Sequence, residues 1–118
     1  MLLIAASLAI VSVLHLTNVV GGGGQNSSAA GIAEAVICLV MLAGATALAR
    51  DRPNGLAAAR ASVAFAIAGF ILGLTITLRG GAAFDIAYHL TGLTVLAATF
   101  ALLGRDRRRR SQPRRPAR

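Results

Sequence analysis

Four apolar runs organise the chain: residues 2–20, 29–49, 61–78 and 83–104, each bounded by Gly-, Pro- or Arg-rich breaks. Each run is close to the ~20 apolar residues needed to cross the ~30 Å hydrocarbon core of a bilayer. A membrane interior offers the backbone no hydrogen-bonding partners, so spans of this length must be helical. The pattern therefore predicts an all-α integral membrane protein with four transmembrane helices and a single domain over residues 1–104. The first run is also open to reading as a signal peptide, with Ser28-Ala29-Ala30 as a loose cleavage site. Its start lacks Lys and Arg, and His15 and Asn18 interrupt it, so the span is the favoured reading.

The breaks differ in kind. Residues 21–28 form a short uncharged loop, and Arg50 to Arg60 form a basic connector with turn chemistry at Arg52-Pro53-Asn54-Gly55. Arg79-Gly80-Gly81-Ala82 closes a hairpin, and residues 105–118 form an Arg- and Pro-rich tail expected to be disordered. Leu14-His15-Leu16-Thr17 recurs as Leu72-Gly73-Leu74-Thr75, and the Arg-Asp-Arg at 50–52 recurs at 105–107. The offsets are 58 and 55 residues, which suggests two tandem hairpins in one bundle and makes Glu34 the counterpart of His89. Stripes of small residues support close helix packing: Ala5, Ala9 and Ser12; Gly31, Ala35 and Cys38; Ala66, Gly69, Gly73 and Thr77. Such stripes serve a homo-oligomer or a membrane partner as readily as they serve folding.

Composition sharpens this picture. Only 14% of the 118 residues are charged, and mean hydropathy is +0.71, whereas a soluble domain carries roughly a quarter charged residues. All 12 basic residues are Arg, eight of them in the last 14 positions. With four spans, the N-terminus, the 50–60 connector and the tail share one side, which holds every Arg except Arg79. The positive-inside rule makes that side cytoplasmic, giving a bacterial inner-membrane protein with both termini inside. The tail is then a contact for anionic lipid headgroups, and nucleic acid is the weaker partner because no aromatic or motif accompanies it. The lone cysteine, Cys38, excludes an intramolecular disulfide.

Candidate chemistry is confined to one depth. Glu34 precedes Arg50 by 16 residues and His89 precedes Arg105 by 16, about 24 Å of helix in each case. His15 lies about 21 Å along its helix from the N-terminus on the same rise. Asn18 follows His15 by one turn, Asp85 precedes His89 by one turn, and Thr75, Thr77 and Arg79 end the third run in the same zone. This outer-half layer of His15, Asn18, Glu34, Asp85 and His89 is the candidate site, since buried ionisable groups in a membrane face a bundle interior or a watery cavity. Tyr88 suits the interfacial aromatic belt, and Asp85 is placed to pair with Arg79 across the Gly-Gly turn.

Three readings of the layer follow: a metal or haem site with His15, Glu34 and His89 as ligands, a proton or ion path, and interhelical hydrogen bonding. No compact ligand spacing names a cofactor, and no nucleophile stands beside a base. The expectation is a non-enzymatic, structural or accessory membrane subunit, with a small metal-, haem- or ion-handling protein as the alternative.

Overall fold

The computed structural model describes the backbone of residues 1–20 and 27–110 and the side chains of residues 1–20 and 28–105. Most of the uncharged loop and the end of the tail, residues 111–118, therefore lie outside the described residues. Among the described residues the fold is four helices: α1 (Leu2–Leu16), α2 (Ser27–Ala49), α3 (Gly55–Thr77) and α4 (Ala83–Arg110). The segments Ser28–Ala49, Gly55–Thr77 and Ala83–Arg105 are long and apolar enough to cross a membrane. Helix α1 is not: its 15 residues span only about 22 Å.

Three boundaries differ from the sequence pattern, each for a local reason. α1 stops at Leu16 rather than continuing to residue 20. The Thr17 hydroxyl donates back to the Val13 carbonyl at 2.7 Å, and Asn18 turns the chain with φ 56°, a left-handed conformation that Asn adopts more readily than most residues. α3 starts at Gly55, so Leu56 to Arg60 of the basic connector are helical, as three consecutive alanines at 57–59 favour. α4 runs through Arg110, six residues into the tail that was expected to be disordered.

Successive helices are antiparallel neighbours, as short connections require. The start of α1 meets the end of α2, where Met1 to Leu3 share a groove with Ala45, Leu48 and Ala49. Ser12 Oγ, near the other end of α1, donates to the Gly31 carbonyl at 2.7 Å. The Cys38 thiol donates to the Ala5 carbonyl at 3.2 Å, so the small-residue stripes of α1 and α2 face each other. Gly44 meets Ser62 and Gly69 meets Ile37 between α2 and α3. Gly92 meets Phe70, and Arg60 lies 4.7 Å from the centre of the Phe100 ring, between α3 and α4. Leu8, Met41, Val63 and Leu96, one from each helix, are the largest fully buried side chains and belong to one core cluster. Outside it the surface is apolar along every helix, with Leu3, Ile10, Leu39, Leu72, Leu90 and Leu102 exposed, as lipid contact requires and water would penalise.

The turn between α3 and α4 needs both its glycines. Gly80 has φ 141°, a backbone setting nearly closed to other residues. At Gly81 a Cβ would come within 2.8 Å of the Thr77 carbonyl oxygen. This turn sets the start of α4 against the end of α3, which brings Asp85 and His89 beside Gly73 and Thr77.

Candidate functional site

The cluster at the α1–α2 and α3–α4 ends is built from helix termini. His15 lies in the last turn of α1 and Asp85 in the first turn of α4. Helix dipoles favour a positive charge at the first and a negative charge at the second. His15 is 6% exposed, Glu34 8% and Asp85 9%, so three titratable groups from three helices are buried together.

His15 bridges the two carboxylates. Its Nδ1 donates a hydrogen bond to Glu34 Oε2 at 2.8 Å, and its Nε2 stands 3.8 Å from Asp85 Oδ1. The second distance is a charge contact beyond hydrogen-bonding range. A neutral imidazole has one donor nitrogen and one acceptor nitrogen, and only the imidazolium offers a proton on both sides. The His15 ring thus faces carboxylate oxygens at both nitrogens and is within hydrogen-bonding range of one at Nδ1. His89 is held differently. Its Nδ1 donates to the Asp85 backbone carbonyl at 2.7 Å, which leaves Nε2 as the ring's other polar atom. That nitrogen is aimed at Gly73, where any Cβ would overlap the imidazole.

These groups line a cavity of about 470 Å³. Gly69, Gly73 and Thr77 form its α3 wall, so the small-residue stripe of α3 leaves room for the site as well as for packing. Phe70 and Tyr88 form an aromatic wall, with ring centroids 5.5 Å apart, and Phe70 lies edge-on to His89 at 5.4 Å. The Tyr88 hydroxyl is buried without a hydrogen bond among the described residues. Ser7 of α1 faces it; the Ser7 hydroxyl donates to the Ile4 carbonyl at 2.9 Å, and its oxygen keeps the capacity to accept.

The structure thus brings together four of the five candidate residues: His15, Glu34, Asp85 and His89. Asn18 is exposed beyond the end of α1 and does not line the cavity. Asp85 turns inward to His15 rather than across the turn: among the described residues the ion pairs within 4.0 Å are His15–Glu34 and His15–Asp85, and Arg79 is exposed. Tyr88, read from sequence as an interfacial anchor, is a wall of the cavity. Its spacing carried the signal, one turn after Phe84 and one residue before His89.

A metal fits this arrangement poorly. The His15 Nδ1 is engaged by Glu34, the His89 Nε2 lies against Gly73, and no group of three His, Cys, Asp or Glu is placed to hold a metal ion among the described residues.

The contacts also bear on the tandem repeat. Its offsets pair His15 with Gly73 and Glu34 with His89. His15 touches Glu34 in the first hairpin, and Gly73 touches His89 in the second. Equivalent positions therefore meet in both hairpins, with a polar contact in one replaced by a glycine–imidazole contact in the other. No family model, curated protein or solved structure matches the chain.

Proposed function

We propose that the chain is a non-enzymatic, multi-pass inner-membrane protein that takes a small solute into the cavity between its helix ends. Both termini are cytoplasmic in this reading, with α1 as the fourth and shortest span. The observation that carries the reading is His15 lying between two carboxylates of different helices on the wall of a cavity. A layer serving only to fix helix register has no need of the space beside it. The positive-inside count, with Arg79 alone opposite the other Arg, supports a cavity in the outer half of the membrane.

The residue inventory supports a binding role over chemistry. The Cys38 thiol and the Ser12 and Thr77 hydroxyls all donate to backbone carbonyls and are not held by a base. An accessory-subunit role is the second reading. It is supported by the α1–α2 contacts, where Ser12, His15 and Cys38 each bond across one interface.

Cysteine accessibility separates the two. In a Cys38→Ala background, Thr77→Cys places a thiol on the buried wall of the cavity. The solute-cavity reading expects this thiol to react with methyl methanethiosulfonate in membranes, and Ala33→Phe at the cavity edge to block the reaction. An inert Thr77→Cys beside a reactive Arg79→Cys control would leave the accessory reading. Arg79→Cys also reports topology, since an impermeant charged thiosulfonate should reach it only from the extracytoplasmic face.

A further inference from the structure

We infer that the solute is a protonated hydrophobic amine, with its ammonium on Asp85 beside Tyr88 and its apolar body against Phe70. This assignment rests on the reading of the layer as a solute cavity, and adds the chemical class.

The entrance selects first. Among the lining residues Ala29, Ala30, Ala33, Leu72 and Ile76 are exposed, and all five are apolar. They come from the start of α2 and the end of α3, both within segments apolar enough to lie in a membrane. Among the described lining residues, this exposed rim presents no charge or hydrogen-bonding side chain, so an apolar or amphipathic molecule enters more easily than a hydrated ion. The volume of about 470 Å³ lies within the roughly 300–1,000 Å³ usual for small-molecule sites. It holds a ring with a short chain.

The polar wall selects next. Glu34 is hydrogen-bonded to the His15 ring at 2.8 Å, while the Asp85 carboxylate has only the 3.8 Å contact with it. His89 is turned to the Asp85 backbone carbonyl, to which its Nδ1–H donates, and not to the carboxylate. Among the described residues the site therefore holds one carboxylate without a hydrogen bond, Asp85, and one orphan hydroxyl, Tyr88 Oη. A primary ammonium has three donors and no acceptor, so it can serve the Asp85 carboxylate and the Tyr88 oxygen together. The faces of Phe70 and Tyr88 add attraction for a cation. An anion meets two carboxylates, and a hydrocarbon leaves Asp85 and Tyr88 unsatisfied.

The chain has one tyrosine and no tryptophan, so tyrosine fluorescence and the 13C signal of labelled tyrosine report Tyr88 alone. The test titrates the full chain in lipid nanodiscs with phenethylammonium, its neutral isostere propylbenzene, and phenylacetate, each corrected against empty nanodiscs. The expected result is a saturable Tyr88 shift for phenethylammonium, with affinity about tenfold or more above propylbenzene, as a charge-assisted hydrogen bond gives. Asp85→Asn should remove most of that preference, and Ala33→Phe should abolish the shift. Equal binding of propylbenzene, tighter binding of phenylacetate, or an unchanged Asp85→Asn preference would overturn the amine assignment and leave the cavity standing. A Tyr88 signal unmoved by all three probes would overturn both.

Discussion

Replacing His15 with Ala leaves Glu34 buried and facing Asp85 with no cation between them. The cost depends on how dry the pair is. Breaking a fully buried ion pair by removing one partner costs about 3–5 kcal/mol, whereas interhelical hydrogen bonds in membranes average only about 0.6 kcal/mol and reach about 1.7. His15 and Glu34 are each under a tenth exposed, but the cavity adjoins them. An intermediate value of about 2 kcal/mol follows for His15→Ala, with a coupling to Glu34 of about 1 kcal/mol. Cys38 supplies the assay. It is the only cysteine, it is buried, and its thiol bonds to Ala5 across the α1–α2 interface one turn below Glu34. When opening is fast relative to labelling, the alkylation rate of Cys38 by a membrane-permeant maleimide measures the opening of that interface. A loss of 2 kcal/mol should raise this rate about 30-fold. In the His15→Ala/Glu34→Ala cycle, the double variant should label about fivefold more slowly than the product of the single effects implies. Single effects that simply multiply would show that the pair does not couple the helices, and the bridging role of His15 would fall.

Three further outcomes follow. Gly73→Ala puts a methyl where the His89 ring lies. It should destabilise the bundle by about 1–3 kcal/mol, the usual cost of overpacking, and shift the His89 ring signals in 15N-histidine spectra while leaving those of His15. Tyr88→Phe removes a buried hydroxyl without a hydrogen bond, so thermal unfolding should show stability unchanged or raised by about 1 kcal/mol, whereas a hydroxyl satisfied in the resting protein predicts a loss. Deleting residues 105–118 removes eight Arg from the side inferred to be cytoplasmic. The truncated chain should lose most of its salt-sensitive binding to anionic vesicles, at about 1 kcal/mol per Arg near the surface, and retain the Tyr88 signal of the intact cavity.

How much of this was legible depended on which physical signal each residue carried. The four helices were plain in the hydrophobic pattern, because lipid-facing positions must be apolar whatever they pack against. That His15, Glu34 and His89 lie at one level of the bundle was also readable, since it needs only the helical rise. The end of α1 was not: Thr17 and Asn18 sit in an apolar context, and the hydroxyl back-bond and positive φ that stop the helix there are local geometry with no periodic signature. Direction was the second hidden quantity. Asp85 has a plausible partner in Arg79 by spacing, but the rotation of α4 set by Gly80 and Gly81 turns it toward His15. The small-residue stripe of α3 reads identically as packing surface or cavity wall. Only the Phe70, Tyr88 and His89 rings that fill or border the space distinguish the two.

The account turns on His15 standing between Glu34 and Asp85 in a lipid-embedded bundle, and the composition makes that contact directly measurable. The chain has a single glutamate and two histidines. Full-length protein labelled with 15N-histidine and 13C-glutamate, reconstituted in bilayers, therefore has one carboxyl carbon that can dephase two ring systems in solid-state NMR. The account predicts strong dephasing of one histidine, eliminated in His15→Gln and retained in His89→Gln, consistent with the 2.8 Å Nδ1–Oε2 contact. Dephasing that is absent, or that survives in His15→Gln, would contradict the placement of His15 on which the cavity, the charge balance and the solute all depend.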